Sequence, residues 1–166
     1  MKTANYWITK LNLEKHPEGG WFKEVYRSGE MISAECLSGS FKGARNISTS
    51  IYYLLEGSDF SVFHRIKSDE IWHYYTGNSS IEIITSRKGE IEIHKLGNQP
   101  EEGHIFQVVV PADTWFAARL ADKKGFAFVG CTVSPGFHFD DFELAGKELL
   151  DEFPLLENQI RSLIRI

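Results

Sequence analysis

His64, Glu70 and His73 fall close together in the stretch FHRIKSDEIWHYYTG, residues 63–77. Imidazoles and a carboxylate at such spacing suit two chemistries, coordination of a transition metal or proton transfer to and from an organic ligand. Which one applies depends on which side chains share a face. The stretch reads as two strands around a charged turn, and side chains alternate along a strand. With His64 facing inward, Val62 and Ile66 face inward too, and Glu70, Trp72 and Tyr74 share one face of the next strand. His73 then points outward, and only a bulge that slips the register by one residue would return it.

A second group lies upstream in His16-Pro17-Glu18-Gly19-Gly20. Two glycines let a backbone approach a ligand closely, and the proline holds His16 and Glu18 in a fixed relation. Arg27 follows on a short strand with Glu24 and Tyr26, and its guanidinium fork suits a carboxylate or phosphate. Arg45 and Arg119 are expected to be solvated or at an interface.

These residues need elements to hold them. Tyr6 to Leu13 has a helical period, stopped at Pro17 and the glycines. From Trp21 to about Phe137 the pattern is short alternating runs: WFKEVYR, ISTSIYYLL, FSVFHRIK, EIWHYYTG, SIEIITS, EIEIHKL, HIFQVVV, TWFAARL and FAFVGCTV. No crossover helix interrupts them, which predicts an all-β sandwich or jelly-roll barrel. Ile81 and Ile83, then Ile91 and Ile93, alternate with Glu82, Glu90 and Glu92, so the fifth and sixth runs predict a hairpin with one buried and one wet face. ELAGKELLDEF and PLLENQIRSLI read as two short C-terminal helices broken at Pro154.

The chain of 166 residues is long enough for one good core, and a single domain over 1–166 is expected. Its 23 acidic and 18 basic residues give a net charge of -5 with no basic cluster, which argues against nucleic acid as a partner. Cys36 and Cys131 form neither a disulfide framework nor a C-x-x-C metal site and read as buried or idle thiols. No apolar run has the length of a signal peptide or a membrane span, so a soluble cytoplasmic protein without a membrane partner is expected. Tyr53, Trp72, Tyr74, Trp115 and Phe128 on predicted strands can stack on a flat ligand or fill the core. Phe63, His73 and Tyr75 on the outer side would need cover, which predicts a homodimer.

The strand pair that carries His64 and Glu70 resembles the first motif of the cupin superfamily, in which His-x-His leads to a Glu and then to a Gly at the strand end, here Gly77. Pro111-Ala112-Asp113-Thr114-Trp115-Phe116 resembles the second motif, Pro-x-Gly-x-x-His. Five ordered blocks, LNLEKHPEGGWFKEVYRS, STSIYYLL, HRIKSDEIWHYYTG, VVPADTWFAARL and GCTVSPGFHFDDFELA, look like the small single-domain cupin type-five family of unknown function. The resemblance implies a double-stranded β-helix, a jelly-roll barrel with short terminal helices, and a homodimer. It also implies a metal held by three His and one Glu, of which this chain keeps His64 and Glu70. Ile66 and Phe116 stand where the other histidines belong, and neither has a lone pair to donate.

Without the metal, no cofactor is expected. A metal, if bound, would be a divalent transition ion at His64 and Glu70. The pocket then has His64 and Glu70 as acid-base groups, walled by Val62, Ile66, Trp72 and Phe116, with His16, Glu18 and Arg27 as further ligand contacts. Metal-free cupin epimerases of sugar-nucleotides use a histidine base and a tyrosine acid. By that resemblance a small polar ligand, a sugar or nucleotide-sugar, would meet His64 as base and Tyr53 or Tyr74 as acid. Two other functions fit the same residues: a metal-dependent dioxygenase or isomerase with His73 or His16 completing the coordination, and a binding module without chemistry. Whether the protein is an enzyme stays open at this level.

Overall fold

Thr3 starts the first helix, α1 (Ala4–Leu11), in the computed structural model, which describes residues 2–87, 90–146, 149 and 161–164. Its hydroxyl accepts the Tyr6 N–H at 3.3 Å, and Asn12 ends the helix in the left-handed region at φ 53°. Trp7, Ile8 and Leu11 on one helical face pack against Leu54, Phe126 and Phe128 on the outside of a sheet.

The strands are β1 (Glu14–Lys15), β2 (Trp21–Arg27), β3 (Met31–Ile32), β4 (Arg45–Asn46), β5 (Thr49–Glu56), β6 (Phe60–Ile66) and β7 (Asp69–Gly77). They continue with β8 (Ile81–Arg87), β9 (Glu90–Leu96), β10 (Gln107–Val110), β11 (Trp115–Leu120), β12 (Phe126–Ser134) and β13 (Phe142–Leu144). All nine alternating runs are strands. The added ones, β1, β3, β4 and β13, span two or three residues each, too short for alternation to reveal.

Two antiparallel sheets face each other, ordered β1-β2-β5-β12-β7-β10 and β13-β6-β11-β8-β9, as a jelly roll requires. Their inner faces meet in a core where Tyr53, Leu55, Trp72 and Tyr74 oppose Ile81, Ile83, Phe116 and Ala118. Three register shifts break the ladders: at Val25 in β2 against β5, at Val62–Phe63 in β6 against β11, and at Tyr75 in β7 against β12. Each inserts a residue and changes which side chains share a face beyond it.

The β8–β9 hairpin departs from the expected arrangement. Ser86 pairs with Ile91 and Ile84 with Ile93, so Ile91 and Ile93 share the outer face, and Ile93 is 49% exposed. Ile81 and Ile83 lie inside, opposite Leu96 and His94. Arg87 pairs with Glu90, and this register rather than the hydrophobic pattern decides which face each side chain takes.

The outer face of the five-stranded sheet is covered by the chain itself. Phe63, Ile84, Trp115 and Ala117 pack with Ala145, Leu149, Leu163 and Ile164, and Phe63 is 1% exposed. Phe63 therefore needs no second subunit, contrary to the expectation. His73 does face outward, held by Thr132 and Gln107. The start of the predicted C-terminal helical stretch is strand, since Glu143 and Leu144 pair with Arg65 and His64 in β6. Most of both predicted helices lies outside the described residues.

Arg45 is not solvated. Its side chain is 4% exposed and forms a forked ion pair with Asp141, at 2.5 Å from Nε and 2.8 Å from Nη2. This ties β4 to the segment after β12. Arg119 pairs with Glu82 at 2.8 Å and keeps a partly exposed side chain. Removing one partner of a buried pair strands the other charge. Asp141→Ala is expected to lower unfolding free energy by roughly 3–5 kcal/mol in urea denaturation; a loss below about 1 kcal/mol, the scale of an exposed pair, would show that Arg45 is solvated after all.

Candidate functional site

The His16–Gly20 segment folds into a tight turn, with His16 N–H on the Gly20 carbonyl at 3.1 Å and Gly19 N–H on the His16 carbonyl at 3.0 Å. Gly20 adopts φ +72° and lies so close to β5 that a Cβ would sit 2.8 Å from the Leu54 carbonyl oxygen. Tyr53 donates its hydroxyl proton to the Gly19 carbonyl at 2.7 Å, and the Val62 N–H donates to the Glu18 carbonyl at 3.1 Å. The turn is thus pinned to both sheets, with the Glu18 side chain directed between them.

The bulge in β6 supplies its partners. A regular strand sends residues three apart to opposite faces, but the extra residue at Val62–Phe63 brings Ser61 and His64 to the same side. Ser61 donates to Glu18 Oε2 at 2.9 Å, and His64 Nε2 lies 3.5 Å from the same oxygen. His64 Nδ1 sits 2.8 Å from the Val62 carbonyl, which can only accept, so Nδ1 carries a hydrogen and Nε2 is the nitrogen turned to Glu18. His16 flanks Glu18 on the other side, with Nδ1 accepting the Glu18 N–H at 3.2 Å and lying 3.8 Å from Oε1.

Across the barrel on β7, Glu70 is 7% exposed. Burial, and next the charge of Glu18, push its carboxyl up to about 8; Cys131 and the Trp72 indole draw it down less strongly. That indole N–H makes no hydrogen bond of normal geometry and is buried. Glu70 therefore stays protonated at neutral pH. Burial lowers the His16 imidazole, with Glu18 opposing, and keeps it neutral there too. Burial and then Glu18 hold the Tyr53 phenol well above its usual range. The Cys131 thiol is raised in the same way, by burial and then Glu70.

These groups border a cavity of about 270 Å³, whose remaining wall is largely apolar, with Phe22, Ile51, Ile66, Trp72 and Val133. Of the expected site residues, His16, Glu18, Arg27, Tyr53, His64, Ile66, Glu70 and Trp72 line it. Phe116 backs the wall, its ring 4.1 Å from that of His64. Tyr74 does not reach the cavity: it shares a face with Glu70 and Trp72 but lies farther along the strand, donating to the Ser79 carbonyl at 3.0 Å. Alternation assigns a face and says nothing of depth along the barrel. Val62 contributes backbone groups, while the bulge gives its expected inward place to Ser61. Tyr53 is at the wall with its proton committed to Gly19, so it positions the turn rather than standing ready as an acid.

Cys131, read as a buried or idle thiol, is buried. Sequence reasoning missed the Ser61–Glu18–His64 contacts. It also missed Phe137, His138 and Phe139 at the cavity rim. The signal was the aromatic run GFHFDDF after Pro135, anchored by the buried Asp141. At the same rim the β2 bulge puts Glu24 and Arg27 on one side, where they form a forked pair at 3.0 and 2.7 Å.

The donor set does not fit a metal. Ile66 and Phe116 occupy two places where the cupin motifs put histidine, and His64 Nε2 faces a carboxylate already held by Ser61. Among the described residues no three His, Cys, Asp or Glu side chains are grouped to hold an ion. The arrangement is suited to moving protons and to hydrogen bonding.

Residues 5–145 match the family model described as Cupin superfamily (DUF985). Protein SO0799 of Shewanella oneidensis has a similar crystal structure, with TM-score 0.88 and 36% identity over 99% of both chains. The uncharacterised yeast protein YML079W from Saccharomyces cerevisiae is 32% identical over 81% of this chain and 71% of its own. A cupin 2 domain-containing protein from Halorhodospira halophila shares the fold, with TM-score 0.58 at 9% identity over 92% of this chain and 88% of that one.

The Glu70 carboxyl makes stability depend on pH. The native chain keeps its proton up to about pH 8, whereas the unfolded chain releases it near the ordinary value of 4.5. The native state binds more protons in that window, so stability falls as pH rises through it, on the order of a few kcal/mol in all. Glu70→Gln should shrink the drop in melting temperature between pH 5 and pH 8.5 relative to wild type; an unchanged drop would mean that Glu70 is ionised in the fold.

Proposed function

Because the chain belongs to the DUF985 family of the cupin superfamily and has the cupin fold, we propose that its barrel encloses a small polar organic molecule and isomerises or epimerises it beside a carbonyl. The observation that carries this is the placing of two kinds of proton-transfer group on facing sheets of one cavity. Glu18 and His64 stand on one side, with the protonated Glu70 on the other. His64 Nε2 takes the proton from the carbon, and the Glu18 carboxylate stabilises the imidazolium formed. Glu70 gives its proton to the carbonyl oxygen as the C–H electron pair moves into a carbon–carbon double bond. His64 then returns its proton to carbon while an enediol hydroxyl gives its proton back to Glu70 as the carbonyl re-forms, so both groups end as they began.

A small sugar or hydroxy-carbonyl compound suits a largely apolar cavity of about 270 Å³ with acid-base groups on its wall. For assembly we propose a homodimer across the outer face of the six-stranded sheet, where Tyr26 and Val109, each 54% exposed, end one cross-strand row. Light scattering at the mass of a single chain would rule that out.

The chemistry is tested by NMR in deuterated water with small hydroxy-aldehydes and hydroxy-ketones. Wild type should exchange the hydrogen beside the carbonyl, and His64→Ala and Glu70→Gln should each slow exchange by roughly 100-fold or more while remaining folded. Ligands that bind but are returned without deuterium would make the protein a binding module and sink the isomerase reading.

A further inference from the structure

The cationic side of the cavity lining is taken up from within. Among the described residues Arg27 is the permanent cation on the wall, and its fork is filled: Nε donates to Glu24 Oε1 at 3.0 Å and Nη2 to Oε2 at 2.7 Å. Its remaining edge, Nη1, donates to Asn46 Oδ1 at 2.9 Å and the Phe137 carbonyl at 3.2 Å. Both His64 and His16 face Glu18, and His138 at the rim faces Asp140 at 3.4 Å. Of the carboxylates, Glu24 is matched by Arg27, Glu70 keeps its proton, and Glu18 is held by the Ser61 hydroxyl. Among the described residues, an anion entering this space meets no permanent cation with an open fork, and it meets the Glu18 carboxylate.

We propose that Glu24 is a specificity-determining residue. By filling the Arg27 fork it restricts the cavity to uncharged ligands, such as free aldoses and ketoses, and refuses phosphate and carboxylate compounds. This rests on reading the cavity as a ligand site and names the class of molecule it takes. The geometry is built by the backbone: without the extra residue at Val25, Glu24 and Arg27 would leave β2 on opposite faces. A tethered carboxylate competes at an effective concentration on the order of millimolar or more, so a free anion at metabolite levels does not displace it. The pair is partly exposed and weak as a source of stability, and its forked geometry is what blocks the guanidinium.

Glu24→Gln removes the competing charge and leaves Arg27 in place. Titration with inorganic phosphate followed by NMR should show no saturable binding to wild type and clear binding to Glu24→Gln. The gain should vanish in the double variant with Arg27→Gln. A matched pair needs no variant: wild type should bind D-erythrose at least about tenfold more tightly than D-erythronate, a gap that Glu24→Gln narrows by roughly tenfold. Phosphate binding to wild type, equal affinity for the two erythrose derivatives, or no anion gain in folded Glu24→Gln would each overturn the proposal. Erythrose bound without loss of its α-hydrogen would overturn the isomerisation and leave the charge selection standing.

Discussion

Glu18 places a carboxylate where water barely reaches, and much of the molecule is arranged around that fact. An ionised carboxylate taken out of water costs several kcal/mol unless donors replace the solvent, and its net hydrogen bonds contribute roughly 1.5–3 kcal/mol each. The donors are Ser61 at 2.9 Å and, once protonated, His64 at 3.5 Å. Bringing both to one oxygen requires the bulge in β6. Holding the carboxylate there requires the Gly20 turn, the Tyr53 hydroxyl on Gly19 and the Val62 N–H on the Glu18 carbonyl. Burial first, and then the same charge, raise the Glu70 carboxyl across the barrel and the Tyr53 phenol. One buried anion thus orders the turn, the strand irregularity and the proton inventory of the opposite wall.

The strand plan was legible because half-buried β-structure writes itself as alternation, and WFKEVYR and EIEIHKL coincide with β2 and β9 to the residue. The inward places of His64, Glu70 and Trp72 and the outward place of His73 followed from the same rule. Alternation failed where the backbone steps out of period. At Val62–Phe63 it predicted a wall residue in place of Ser61, and at Val25 it hid the pairing of Glu24 with Arg27. It also carried no depth, which moved Tyr74 out of the site, and no turn geometry, which turned Ile91 and Ile93 to the outside. Arg45 was misjudged because burial of an arginine depends on a partner 96 positions away in sequence, and such pairings leave no local trace.

Ile66 and Phe116 give the cavity a character that a metal-binding cupin wall would lack. A cation in that place would hold Glu70 ionised and draw the imidazoles toward it. Apolar side chains there leave burial and then the Glu18 charge to outweigh Cys131 and the Trp72 indole at the carboxyl. The wall therefore converts a ligand position into a proton donor without altering the carboxylate residue itself.

The hydrogen bonds that clamp the His16–Gly20 turn bear also on the character of the cavity wall. With its backbone joined to β5 and β6, the turn is a fixed part of the wall, and bending it aside would break several bonds together. The aromatic rim is built differently: Phe139 is 63% exposed, with its ring against those of Phe137 and Phe142. Side chains held by ring packing reorient far faster than a clamped backbone. The exposed aromatic side chains of this rim are therefore free to turn without disturbing the clamped wall that carries Glu18.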